Sequence, residues 1–183
     1  DEADRRLAKV YEARSHAAYN AGRWADALKE AQKALEIASE LRDTHLVTEA
    51  MTQVGIHLRN IGKIDEAERH FRAALRAATD MGDARLTQVP LYQLGSVLWT
   101  RGDAKLAEEF WLESQQLSTE INNPKSLAFA HNGLGILAAC RGETAEARRN
   151  LEKSASLFEG LGLLAPLSIT QVNLVELYYC SGS

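Results

Sequence analysis

The sequence is short of the features that announce a cofactor, a membrane span or a secreted framework. Its two cysteines, Cys140 and Cys180, form neither a CxxC pair nor a disulfide framework, which suits a reducing compartment. No apolar run approaches the roughly 18 to 20 residues that a membrane span needs, and no basic-then-apolar leader opens the chain. Lysine and arginine form no block, and the formal net charge is −4, so the electrostatic footprint of a nucleic-acid binder is missing. These absences exclude direct nucleic-acid binding and membrane insertion, and a soluble, cytoplasmic protein is expected. Catalytic signatures are missing too. The five histidines (His16, His45, His57, His70 and His131) show no HExxH spacing and fall at different phases of the chain, which reads as surface or core-edge positions. There is no GxSxG, no phosphate loop and no GxGxxG, and the "GLG" at 160–162 follows no strand and reads as a turn. No enzyme, no metal and no cofactor is expected.

What the sequence has is repetition. "AGRWADALK" at 21–29, "IGKIDEAER" at 61–69, "RGDAKLAEE" at 101–109 and "RGETAEARR" at 141–149 keep one register, with Gly22, Gly62, Gly102 and Gly142 in phase. Five residues after each glycine stands an alanine: Ala27, Ala67, Ala107 and Ala147. Seven before it stand Ser15, Gly55, Gly95 and Gly135. Two facing small columns are what closely crossing helices require, because a larger side chain would force the axes apart. Apolar residues at Ile37, Leu41, Ala77, Met81, Leu117, Ile121, Leu157 and Leu161 recur at helical spacing and read as buried seams.

The breaks are periodic as well. Asp43, Asp83 and Asn123 are N-cap residue types at one phase, and Pro124 follows at a favourable first helical position. Each repeat is therefore a hairpin of an A helix (44–60, 84–100, 124–140) and a B helix (64–81, 104–121, 144–161), preceded by a pair at 3–20 and 24–41 and followed by a last A helix at 165–180. At the fourth break Leu163 replaces the Asp or Asn, and Gly160, Gly162 and Pro166 supply the interruption. Pro90, inside an A helix, should kink it or delay its start.

These columns resemble the tetratricopeptide repeat (TPR) family, whose hallmark is a helical hairpin with small residues at the crossing and glycine in the turn. The best stretch is "YQLGSVLWTRGDAKLAEEFW", with Leu94, Gly95, Gly102, Ala107 and Trp111 at the family's large, small, turn, small and aromatic positions. The period of 40 exceeds the usual 34, and the family's closing proline is replaced by Ser39, Thr79, Thr119 and Glu159. Those departures resemble the longer-helix TPR domains of bacterial signalling and transcription regulators. The resemblance implies an all-α, right-handed superhelical solenoid of antiparallel helix pairs, a single domain over 1–183 with repeats at about 4–43, 44–83, 84–123 and 124–163 and a partial fifth at 164–183. Gly182 stands at the turn of that fifth repeat, so the array reads as a piece cut from a longer protein. Leu174, Leu177 and Tyr178 are then expected to lie uncovered and to promote self-association.

In TPR proteins the A helices line the concave wall. The resemblance therefore implies a partner-binding groove of Tyr19, Asn20, Ile56, Arg59, Asn60, Tyr92, Ser96, Trp99, Phe129, Asn132, Ile136, Val172, Glu176 and Tyr179. Its first half, which also carries Lys9, Glu12, His16, Glu49 and Thr52, is polar and charged, whereas the second is aromatic and aliphatic. Exposed aromatic groups rimmed by polar ones mark interaction sites, although Trp99 and Phe129 could instead pack between helices. The lysine, asparagine and arginine clamp with which chaperone-binding TPRs grip a C-terminal carboxylate is absent, since its positions hold Glu12, His16, Gln88 and Tyr92. The expected function is a protein-interaction or regulatory scaffold that binds a peptide or partner helix. The alternative is a small-molecule or peptide-signal sensor controlling an attached output domain.

Overall fold

A computed structural model describes residues 2–181, with the side chains of Cys180 and Ser181 left out of the description. The expectations attached to the Cys180 thiol and to Gly182 lie outside the described part. Among the described residues there are nine α-helices and no strand: α1 (Glu2–Asn20), α2 (Trp24–Glu40), α3 (Thr44–Asn60), α4 (Ile64–Asp80), α5 (Ala84–Thr100), α6 (Ala104–Glu120), α7 (Pro124–Cys140), α8 (Thr144–Gly160) and α9 (Leu164–Ser181). The odd-numbered helices are the A helices and the even-numbered ones the B helices. Contacts divide the chain into two compact units, residues 1–97 and 98–183.

The turns follow from the glycines. Gly22, Gly62, Gly102 and Gly142 all have positive φ, between 72 and 87°, and each closes an A helix. At the first two of these turns the N–H of Arg23 donates to Ala18 O and that of Lys63 to Leu58 O, both at 2.9 Å, the six-to-one bond that ends a helix on a left-handed residue. Between hairpins the same conformation falls on Arg42 (φ 53°), Gly82, Asn122 (φ 52°) and Gly162. The N-caps act as their residue types imply: Asp43 Oδ1 accepts from Leu46 N at 3.2 Å, Asp83 Oδ1 from Leu86 N at 3.0 Å, and Asn123 Oδ1 from Ser126 N at 3.2 Å. Asp43 also pairs with Arg5 of α1 through Oδ2 at 2.5 Å.

In the first unit α1 packs on α2, α2 on α3 and α3 on α4; in the second α6 packs on α7, α7 on α8 and α8 on α9. The small columns are the crossing points. Ala27, Ala67, Ala107 and Ala147 are each wholly buried. Facing them, Ser15 Oγ donates to Ala27 O at 2.9 Å, a Cβ on Gly55 would lie 2.6 Å from the Phe71 ring, and one on Gly135 would lie 2.7 Å from Leu151 Cγ. The B-helix seam, however, runs one residue away from its sequence reading. Met81 and Leu161 are exposed and Ile37, Leu41, Ala77, Leu117, Ile121 and Leu157 only half-buried, while the buried stripe is Ala34 and Ala38, Ala74 and Ala78, Ser114 and Ser118, Ser154 and Phe158. The residues of this face are set by the room at each crossing: alanine and serine where the backbones are close, and Phe71, Trp111 and Leu151 where a glycine of the A helix (Gly55, Gly133 or Gly135) stands opposite.

Two further expectations change. Helix α5 is continuous from Ala84 through Pro90, so the proline does not delay its start. Leu91 and Leu94, both wholly buried in the following turns, offset the hydrogen bond that the ring removes. In α9, Leu177 is buried with Ala138, Ala147 and Leu151, Leu174 packs against that cluster, and the Tyr178 ring lies 5.1 Å beneath the Arg148 guanidinium carbon. These residues face inward. The exposed apolar stripe of α9 is Leu164, Ile169, Val172, Val175 and Tyr179.

Candidate functional site

In the first unit a cleft of about 430 Å³ has walls that come from A helices and the turn before α5. Helix α1 contributes Glu12 and His16; α3 contributes His45, Glu49, Thr52 and Gln53; the start of α5 contributes Arg85, Leu86 and Val89, with Asp83 preceding it. His45 bridges two of the carboxylates, with Nδ1 3.5 Å from Glu49 and Nε2 3.9 Å from Asp83. Burial pushes the Glu12 carboxyl above its ordinary range, and the nearby Glu49 charge adds to that, against the smaller opposing effects of His16, Lys9 and His45. Among the described residues no group of three or more His, Cys, Asp or Glu side chains is arranged to hold a metal ion.

Glu12, His16, Glu49 and Thr52 were readable as polar positions on the A helices, but the other lining residues were not. His45 and Arg85 share a column at the helix starts with Arg5, and Val89 shares the column of Glu49, so the periodicity did carry a signal for them. The histidines, read as scattered, are partly gathered: His16 and His45 line one cleft. His57 is neither surface nor core-edge but 1% exposed, with Nε2 2.7 Å from Ser15 Oγ. Because Ser15 gives its proton to Ala27 O, the imidazole donates through Nε2 and keeps Nδ1 unprotonated and without a partner. Burial, with a smaller push from His16, lowers its pKa to about 4.

None of the fourteen residues read from the sequence as a groove lines this cleft. In the first unit Tyr19 is exposed, its ring tilted 5.7 Å from that of His57, and Asn20 is exposed beside it in sequence. Ile56, Arg59 and Asn60 are half-buried along α3. Tyr92 and Ser96 are half-buried on α5 and joined by a 3.2 Å hydrogen bond from Ser96 Oγ to Tyr92 O. In the second unit Trp99 and Phe129 are both half-buried and both used in packing: Trp99 lies 6.2 Å from the Trp111 ring, and Phe129 meets Phe158 edge-on at 4.9 Å. Asn132 Oδ1 accepts from Thr170 Oγ1 at 3.1 Å and Asn173 Nδ2 at 3.2 Å, which ties this side chain to α9. Ile136 is half-buried, whereas Val172, Glu176 and Tyr179 are exposed on α9.

A smaller cleft in the second unit, about 110 Å³, is closed at one side by a bidentate pair from Arg141 to Glu108 at 2.8 and 2.6 Å. That hydrogen-bonded guanidinium holds the Glu108 carboxyl below its ordinary range.

Hairpins of A and B helices crossing at small residues define an all-helical repeat protein. The tetratricopeptide repeat family model matches residues 6–80 and 86–160. The chain belongs to that family. No curated protein matches the sequence. Among solved structures it is similar to BtubC (BKLC) from P. vanneervenii, at 21% identity and a TM-score of 0.78 over 98% of this chain and 74% of that one. It is similar to aspartyl phosphate phosphatase F from Bacillus subtilis, at 17% identity and a TM-score of 0.78 over 92% of this chain and 44% of that one. It is also similar to the Rap conjugation gene regulator of the plasmid pLS20, solved in complex with the Phr* peptide, at 21% identity and a TM-score of 0.83 over 96% of this chain and 47% of that one. The likeness is one of fold, and this chain spans less than half of the latter two proteins. Among the described residues no helix is long and apolar enough to cross a membrane.

Proposed function

We propose that this chain is an interaction module that binds a peptide or a partner helix on its A-helix faces, and that it serves a larger bacterial signalling or transcription-regulating protein in the cytoplasm. The module carries no catalytic chemistry of its own. The observation that carries this reading is the cleft of the first unit, which is lined by A helices and the turn before α5 and by no B helix. The peptide complex of the pLS20 regulator, a protein of the same fold, supports the class of ligand. A small-molecule sensor would need an enclosed apolar pocket, whereas Leu86 and Val89 are the only aliphatic groups lining this cleft. The test is photo-crosslinking in bacterial lysate with p-benzoylphenylalanine at Gln53 or Val89, which line the cleft on A helices, against Glu36 or Arg76 of the B helices. Adducts confined to the A-helix positions are expected. Equal labelling of the B helices would move the working surface elsewhere.

A second reading concerns copies of the chain. Ile169, Val172, Val175 and Tyr179 are each more than half exposed on one face of α9, broken only by Glu176. Such a stripe supports self-association through α9. Sedimentation of the wild type and Val172→Lys tests it: a mass that does not fall in the variant rejects this reading.

A further inference from the structure

The cleft of the first unit is amphipathic in a particular way. Glu12 and Glu49 come from neighbouring A helices, and Leu86 and Val89 from α5 supply an aliphatic wall, with Val89 40% exposed. Among the described residues no side chain bonds to or pairs with Glu12, although it is half-buried and feels the charge of Glu49. A partly desolvated carboxylate beside a second one is an unfavourable arrangement until a cation is placed between them. The basic groups already nearby do not offset this: Lys9, His16 and His45 act on Glu12 more weakly than burial and Glu49 do, and Arg85, the one guanidinium lining the cleft, is joined there by a third carboxylate, Asp83. The carboxylates are not arranged for a metal ion. A ligand carboxylate would meet three carboxylates, Glu12, Glu49 and Asp83, against the single guanidinium of Arg85.

We propose that this cleft receives a cationic side chain of the bound peptide, a lysine ammonium or an arginine guanidinium, with its methylene stem against Leu86 and Val89 and its charge on Glu12 and Glu49. The polarity is the reverse of a clamp for a C-terminal carboxylate. A long aliphatic stem ending in a charge is the side-chain shape that covers apolar surface while its head stays among carboxylates. The inference rests on the reading that the A-helix face binds peptides, and it adds which residue type that face selects.

The test is an NMR titration of the isotope-labelled chain at pH 8 with four blocked tripeptides: Ac-Ala-Lys-Ala-NH2, Ac-Ala-Arg-Ala-NH2, the neutral citrulline counterpart of the arginine peptide, and Ac-Ala-Glu-Ala-NH2. The cationic peptides should shift backbone amides of residues 45–53 and 85–89, binding about tenfold or more tightly than the citrulline peptide. The glutamate peptide should leave them unmoved. Glu12→Gln with Glu49→Gln should abolish the difference while the circular dichroism spectrum is retained, and Glu49→Gln alone serves if the double variant unfolds. Equal shifts from the arginine and citrulline peptides, or none at these amides, would overturn the proposal. A-helix crosslinks obtained alongside that result would leave the interaction module standing and remove only its preference for cations.

Discussion

Ser15 on α1 and His57 on α3 meet at 2.7 Å in the interior of the first unit, and through Ala27 O the same hydroxyl reaches α2. Three helices thus share one buried polar contact. Because burial lowers the His57 pKa to about 4 from 6.5, the folded chain holds the imidazole neutral where the unfolded chain would protonate it. Stability contributed above pH 6.5 is therefore lost as pH falls from about 6.5 toward about 4, by an amount on the order of 2–3 kcal/mol at pH 4.5. Urea denaturation at pH 7.5 and 4.5 should show this loss in the wild type and a smaller one in His57→Gln. An identical pH dependence in both would mean that His57 is not the group responsible.

Two helical glycines should respond to alanine with opposite signs. A Cβ at Gly133 would lie 2.5 Å from Cε2 of Trp111, a buried and rigid ring, so Gly133→Ala must displace the ring or the helix and should cost about 1–3 kcal/mol. Gly160, at the end of α8, has nothing within 4 Å of a built Cβ and an ordinary φ, so Gly160→Ala should stabilise by about 0.5–1 kcal/mol. Thermal melts of the two variants give the comparison, and a gain at Gly133 would contradict the Trp111 packing.

Arg42 and Asn122 hold the left-handed conformation that glycine holds at 82 and 162. Arginine is strained there by its Cβ, whereas asparagine tolerates the region better. Arg42→Gly should therefore raise stability by about 0.5–1 kcal/mol and Asn122→Gly by less. Denaturant midpoints decide it. A larger gain at Asn122 would show that side-chain contacts, not φ, govern these turns.

The helices were legible to within about one residue because glycine, Asp or Asn caps and small columns are local signals with local causes: Asp43 caps α3 by bonding Leu46 N, as its type and phase imply. The seam was less legible. Leu41 and Met81 are more apolar than Ala38 and Ala78, yet the alanines are buried, because close crossing is decided by size and not by hydropathy. The candidate site was half legible. Glu12 and Glu49 lie on the expected faces, but their meeting with Asp83 and Arg85 depends on how α1, α3 and α5 stand side by side, which no single helix records. Trp99 and Phe129 look alike in sequence whether they wait for a ligand or pack on Trp111 and Phe158.

The orientation of α9 carries the same lesson into energetics. Leu177 is 7% exposed in a cluster with Ala138, Ala147 and Leu151, whereas Leu164 on the same helix is 72% exposed. Both are leucines, and the small difference in helix propensity between leucine and alanine leaves burial as the main distinction. Leu177→Ala should cost about 2–4 kcal/mol, because the removed methyl groups leave a cavity between α7, α8 and α9. Leu164→Ala should change stability by less than about 0.5 kcal/mol. Equal losses in denaturant unfolding would mean that α9 is rotated about its axis, and the stripe of Ile169, Val172, Val175 and Tyr179 would then face the core instead of a partner.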